Sequence, residues 1–361
     1  MRVHYSEWDE RFMQALHQQL GLLRLFNYLV VQQDGDVEGA LRILRELQAR
    51  GYVDADADIE RFAEQLEEQS FLRDVEGRLE LTPRGERQLR RDALEQIFTS
   101  MRGKGNGEHP VPREGVGNEP LPETRAFRFG DDIAAIDFKR SLRNAMQRQV
   151  DRLVLQEEDL EVQETELRTS CATVLLLDIS HSMILYGEDR ITPAKRVALA
   201  LTELILTRYP KDSLDLVLFG DDAHPVSLGD LPYVNVGPYH TNTRAGLQMA
   251  RRILGRRKHA NKQVIMITDG KPSCVWEDGQ LYKNSFGLDP RIVNRTLDEA
   301  IILRKHRIPI TTFMVARDPH LQRFVQHLAE LNHGRAYFAS LRNLDEYVMV
   351  DFIRNRRSML R

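Results

Sequence analysis

"LLLDISHSMI", residues 175–184, decides how this chain reads. An apolar run reaches Asp178 and gives way to Ser180 and Ser182 at alternate positions. The run from Cys171 is near-continuously apolar, as a strand is when helices cover both faces of its sheet. Oxygen side chains where such a strand surfaces admit three uses: capping a helix, catalysis, or holding a metal.

Working outward, short apolar strands alternate with amphipathic helices. "TPAKRVALALTELILTRY" has helical spacing and "LDLVLF" is a strand. Later come the helix "RAGLQMARRILGRR", the strand "KQVIMITD", the helix "RTLDEAIILRKHR", the strand "PITTFMV" and the helix "HLQRFVQHLAELNHG". This order predicts an α/β fold, a doubly wound and mostly parallel sheet, over residues 171–361. "LVLFGDDAHPVSL" is too short for a helical crossover, so a hairpin is expected there. "CVWEDGQLYKNSFGLDP", residues 274–290, reads as a long loop on the site side that helps choose a partner.

Ligands of open α/β sheets sit outside the carboxyl ends of the strands. Three segments put oxygens there: Asp178, Ser180 and Ser182; Thr241 and Thr243 of "HTNTRAG"; and Asp269 of "ITDGKPS", where Gly270 allows a sharp turn. Two carboxylates with three or four hydroxyls suit a hard cation, and so few carboxylates suit Mg²⁺ better than Ca²⁺. Hydroxyl donors are neutral. The ion would keep uncompensated charge and seek an acidic ligand from another molecule.

"DISHS" matches the D-x-S-x-S motif of von Willebrand factor type A (vWA) domains, and "TNT" and "TDG" match that family's second and third site segments in order. The resemblance covers roughly residues 171–355, about half the chain. It implies a metal-ion-dependent adhesion site holding Mg²⁺ or Mn²⁺. Ser180, Ser182 and Thr241 would be ligands, with Asp178 and Asp269 acting mainly through bound water. Thr241 rather than Thr243 is indicated because the first Thr of T-N-T plays this part in the family. "DLEVQETELRTSCATVLLLDISHSM", "NKQVIMITDGKPS" and "LVLFGDDA" resemble soluble bacterial proteins with a C-terminal type A domain. These are similar to the type A part of the magnesium-chelatase D subunit and to companions of MoxR-type AAA+ ATPases. The resemblance implies a non-catalytic adaptor that grips a partner through a metal-bridged carboxylate while an AAA+ ring remodels the client.

His181 and His240 flank these segments, but alternation points His181 away, and both are read as rim residues rather than ligands. Cys274 lacks an obvious base, so a catalytic thiol is not expected. Met183 and Trp276 are rim or core. The residue two after Asp178 is Ser180, not the second Asp of a haloacid-dehalogenase site, and neither a P-loop nor a G-x-S-x-G elbow occurs. The chain is expected not to be an enzyme.

Residues 1–102 read as a helical N-terminal domain, including "FMQALHQQLGLLRLFNYLVVQQ", "VEGALRILRELQARGYV" capped by Asp34 or Asp36, and "IERFAEQLEEQSFL". A short hairpin and a long helix from "LTPRG" follow, like the wing and closing helix of a winged-helix domain. That likeness carries the alternative function, a DNA-binding regulator using this segment with the type A domain as a sensing or dimerising module, and a basic stripe around Arg84 and Arg87 to Arg91 would favour it. Residues 103–124, with five glycines and four prolines between Gly103 and Pro122, read as an irregular linker. Residues 125–170 read as a connector, with a helix over "DIAAIDFKRSLRNAMQRQVDRLVL" and an edge strand "EDLEVQETEL". A formal charge of −3 gives no general affinity for nucleic acid or acidic membranes. Cys171 and Cys274 are placed too far apart to pair, and two cysteines suit a reducing compartment. With no apolar leader or spanning run in view, a cytoplasmic protein is expected.

Overall fold

The structure, a computed structural model, describes residues 21–55, 57–103, 119–127, 136–148, 155–166, 170–187, 189–269, 271–284, 286–315, 318–338 and 344–358. Two compact units emerge, one drawing on Met1–Gly105 and Cys171–Asp351, the other on Asn106–Ser170 and Phe352–Arg361.

The first unit begins with helices α1 (Leu22–Gln32), α2 (Val37–Ala49) and α3 (Ile59–Glu68). The part of the first expected helix before Gly21 lies outside the described residues. Asp36 and Asp58 cap α2 and α3, accepting from Gly39 N at 3.0 Å and Arg61 N at 2.9 Å. Strands β1 (Leu72–Val75) and β2 (Arg78–Leu81) form the expected hairpin, and α4 (Pro83–Gly103) opens on the Thr-Pro pair.

In the other unit, β3 (Glu119–Ala126) pairs antiparallel with β4 (Glu161–Glu166). The expected irregular linker is therefore regular from Glu119 onward. A two-stranded sheet has only edges, and the register shifts between Pro120 and Thr124, where a proline is tolerated. The connector helix, α5 (Phe138–Arg148), starts later than its periodicity indicated, because Ile136 bridges to Val162 and Asp137 caps Lys139 N at 3.1 Å. The C-terminal end of that expected helix lies largely outside the described residues. Arg148 holds Asp159 by two bonds of 2.9 and 2.7 Å, and that pairing keeps the Asp159 carboxyl below its ordinary range.

Returning to the first unit, the α/β sheet comprises β5 (Cys171–Asp178), β6 (Ser213–Phe219), β7 (Ala223–Val226), β8 (Asn261–Thr268), β11 (Ile310–Met314) and β12 (Arg335–Phe338), in the order β12-β11-β8-β5-β6-β7. All neighbours are parallel except β6 and β7, the expected hairpin. Every residue of central β5 is buried, and Val174 and Leu176 pack with residues of α7 (Thr243–Arg256), α8 (Pro290–Lys305) and α9 (Pro319–Asn332). Edge strand β7 places Pro225 opposite Val217. Helix α10 (Leu344–Ser358) follows β12.

Helix α6 (Ile191–Arg208) is buried on nearly all sides because α1 and α4 sheathe it. The wholly buried Lys195 reaches across to Val31 O at 2.9 Å and Asp34 Oδ1 at 3.1 Å. Arg196 donates to Gln96 Oε1 at 2.6 Å, and Arg90 to Glu203 Oε2 at 3.4 Å.

One expectation was overturned outright. Residues 274–290 are not a plain loop: β9 (Cys274–Glu277) and β10 (Gln280–Lys283) form a hairpin. Its turn, Asp278-Gly279, has φ of 48° and 77°, the backbone that a two-residue turn demands of Asp-Gly.

Asn332, at the end of α9, fixes the sheet below it. Its Oδ1 accepts from Ile310 N at 2.6 Å, and its Nδ2 donates to Ala300 O at 2.9 Å and Ile308 O at 3.2 Å. Gly334 follows because a Cβ there would meet Ile310 O at 2.0 Å. Asn332→Ala leaves three buried main-chain groups without this partner, and should lower stability by about 3 kcal/mol in urea unfolding.

Candidate functional site

Asp178 ends central β5, and its carboxylate turns the chain out of the sheet. Its Oδ1 accepts from Ser180 N at 2.9 Å and its Oδ2 from Thr268 Oγ1 at 2.6 Å. The Ser180 and Ser182 hydroxyls lie 3.0 Å apart, and Thr241 Oγ1 donates to Ser180 Oγ at 2.9 Å. Ser182 also donates to Asp269. Four of the five residues are nearly inaccessible, with Asp178 at 0%, Ser180 at 1%, Thr241 at 2% and Asp269 at 3%, while Ser182 is half-buried and forms the outlet. All five sequence candidates therefore meet in one crevice, in three segments that sequence separates widely.

Main-chain bonds hold the segments in place. His181 N donates to Tyr239 O at 3.0 Å, Asn242 N to Gly220 O at 2.8 Å, and Ser273 N to Thr241 O at 2.9 Å. Ser273 Oγ accepts in turn from Thr241 N at 2.9 Å, so the segment leading into the β9–β10 hairpin grips Thr241 from both sides of its peptide. Glu277 of the hairpin is bonded to Arg291 and, at 2.7 Å, to Arg295 of α8, while Lys283 reaches Asp221 at 3.3 Å.

The three uses of these oxygens can now be separated. Capping is done by other residues: Asp189 accepts from Thr192 N at 2.9 Å ahead of α6, and Asn242 from Ala245 N at 3.0 Å at the start of α7. As for catalysis, the Ser180 hydroxyl meets the hydroxyls of Ser182 and Thr241 and the buried Asp178 carboxylate, and neither nearby histidine faces it. His240 is turned toward Asp221, with Nδ1 3.2 Å from Oδ1, and the His181 side chain is exposed. Burial and the nearby Asp221 push the Cys274 thiol up to about 12, far from a reactive thiolate. Met183 belongs to the core at 0% exposure, whereas Trp276 is 43% exposed and donates to Asp221 O.

The arrangement could hold a hard cation. Burial, reinforced by the charge of Asp269, pushes the Asp178 carboxyl up to about 7, and burial raises Asp269 as well. Two buried carboxylates that resist ionising together, beside neutral hydroxyl oxygens, suit a divalent ion that would neutralise both. Among the described residues no group of three or more His, Cys, Asp and Glu side chains could hold a metal ion.

Three contributors escaped the sequence reading. Thr268, one residue before Asp269, binds Asp178; Ser273 positions Thr241; and Arg190 places Nη1 3.6 Å from Asp269 Oδ2. Thr268 and Ser273 stood inside "ITDGKPS", where their type was visible but not their direction. Arg190 gave no signal, because its position depends on how the chain after Ser182 folds back. Among the described residues no helix is long and apolar enough to cross a membrane.

Comparison with known proteins places these observations in a family. The vWA domain of the Rv0959-like proteins matches residues 171–353, and the third domain of the same proteins matches residues 119–165. Uncharacterized protein Rv0959 of Mycobacterium tuberculosis is 34% identical over 328 residues, covering 87% of this chain and 48% of the relative. Uncharacterized protein Mb0984 of Mycobacterium bovis gives the same figures, 34% over 328 residues, 87% and 48%. The chain thus spans about half the length of the curated relatives it matches. Among solved structures, the vWF domain of the type V pili tip protein Mfa5 from Porphyromonas gingivalis overlaps 53% of this chain and 95% of its own, at 15% identity and a TM-score of 0.42. The conserved hypothetical protein BatB from Bacteroides thetaiotaomicron overlaps 52% and 98%, at 16% identity and a TM-score of 0.39. A vWA domain suggests a role in protein interaction, and the chain that carries Asp178, Ser180, Ser182, Thr241 and Asp269 on this sheet belongs to the Rv0959-like family of vWA-domain proteins.

Proposed function

We propose that this protein is a non-catalytic, metal-dependent adaptor. Mg²⁺ (or Mn²⁺) held by Ser180, Ser182 and Thr241, with Asp178 and Asp269 behind them, bridges to an acidic residue of a partner. The observation that carries this reading is the continuous chain of hydroxyls, Ser182 to Ser180 at 3.0 Å and Ser180 to Thr241 at 2.9 Å, set over two buried carboxylates. The ion supplies a charge with an open position; the chain supplies a rigid, partly neutral cradle opening at Ser182. The partner class, an AAA+ ATPase of the MoxR or magnesium-chelatase kind or its client, follows from the similarity of the type A phrases to companions of such ATPases.

The DNA-binding alternative finds less support. In the helix-helix-helix-hairpin order of the N-terminal segment, α3 would be the helix offered to a groove, and its sequence "IERFAEQLEE" is acidic. Of the arginines beside the hairpin, Arg90 is bonded to Glu203 and Arg91 to Glu95, and Arg84 lies over the Phe71 ring at 5.2 Å. Arg84, Arg87 and Arg91 are nonetheless exposed, so the case against DNA rests on the acidic α3.

The test is affinity capture of the tagged full chain from its own cells, in Mg²⁺ and in EDTA, with mass spectrometry of what is retained. An AAA+ ATPase or its client retained in Mg²⁺ and lost in EDTA is the expected result. Partners indifferent to EDTA would overturn the metal bridge.

A further inference from the structure

Arg190 holds a position that the metal reading leaves unused. Its Nη1 lies 3.6 Å from Asp269 Oδ2, and its side chain is only 12% exposed. Its main-chain N–H donates to Met183 O at 3.0 Å, closing the 3₁₀ stretch His181–Gly187 that carries Ser182. One residue thus ties the first site segment to the third and sets a permanent positive charge on one of the two site carboxylates. A guanidinium does not shed that charge by deprotonating. In this partly desolvated crevice, a second cation drawing on Asp269 would meet both a shared ligand and direct repulsion.

We propose that Arg190 is a tethered counter-cation that competes with the divalent ion for Asp269 and holds the site in a low-affinity state. The proposal rests on the metal reading above. Metal binding then requires the guanidinium to leave Asp269. Its stem limits how far it can go, because Arg190 immediately precedes α6. Lys195, one turn into that helix, is bonded to Val31 and Asp34 of the N-terminal segment. The reach of Arg190 is therefore set by how the N-terminal helices seat α6, which gives that segment a physical means of tuning metal affinity.

Isothermal titration with MgCl₂ tests this on the full chain, metal-stripped, comparing wild type with Arg190→Gln, Arg190→Lys and Asp178→Asn. Arg190→Gln should bind Mg²⁺ about tenfold more tightly than wild type, with Arg190→Lys between them. Addition of Mg²⁺ should also raise the melting temperature of Arg190→Gln more than that of wild type. Equal affinity in wild type and Arg190→Gln would overturn the competition while leaving the metal reading intact. Weaker binding in Arg190→Gln would overturn it too, marking Arg190 as a brace for the Ser182 loop. Absence of binding in every protein would overturn the metal reading and this proposal together.

Discussion

Asp178→Asn is expected to abolish the Mg²⁺-induced rise in melting temperature while making the metal-free protein more stable. The amide keeps the size of the carboxylate and can still accept from Ser180 N, now bonded at 2.9 Å, so the loop has reason to stay in place. What goes is a buried charge, pushed up to about 7 by desolvation and by Asp269. A carboxyl whose folded value lies above its unfolded one binds more protons in the folded state. Metal-free wild type should therefore lose stability as pH rises from about 4 to about 7. In Asp178→Asn that decline should shrink, leaving the metal-free variant more stable than wild type at neutral pH. Wild type with Mg²⁺ at a hundred times its dissociation constant should gain about 2.7 kcal/mol, and the variant nothing. Thermal melts across pH, with and without Mg²⁺, read all of this. A variant that still responds to Mg²⁺ would remove Asp178 from the site.

The second large effect concerns Lys195, which is 0% exposed. Lys195→Ala should destabilise the protein by about 3 kcal/mol, because the Asp34 carboxylate and the Val31 carbonyl both lose their buried cation. Lys195→Met paired with Asp34→Asn should recover most of the loss, since an apolar side chain of similar length replaces the whole ion pair. Burial lowers the Lys195 pKa below its ordinary value, so in the window between the lowered and the ordinary value the unfolded state binds more protons. Wild-type stability should rise with pH through the window, and the rise should vanish in Lys195→Met. Urea unfolding of the single and double variants at several pH values decides it. A Lys195→Ala variant as stable as wild type would mean that the N-terminal helices are held by apolar packing alone.

Much of this could be read in the sequence because the decisive residues are local. Central β5 announces itself by being near-continuously apolar, and Asp178 lies at its end because ligand oxygens collect where parallel strands surface. Ser180, Ser182, Thr241 and Asp269 come with turn or helix signals beside them, so their convergence followed from topology. What escaped were relations across distance. The Asp278-Gly279 turn was a hairpin signal overlooked in favour of loop length. Arg190 pairs with Asp269 across 79 positions of sequence, and Lys195 with Asp34 across 161. No periodicity encodes such pairs; only the assembled fold brings them together. The strand from Glu119 was hidden because prolines and glycines lower strand propensity without forbidding an edge.

The proline opposite Val217 has a consequence for how this protein meets others. On an edge strand, a proline takes the place where an outward N–H would invite another chain to continue the ladder. At β7 the sheet is thereby blunted against open-ended growth, the route by which exposed edges lead to fibrils and swapped dimers. Association of this α/β unit is steered away from that edge and toward surfaces made by side chains, which can be specific and reversible. A domain whose family suggests a role in protein interaction gains from having a sheet edge that does not stick.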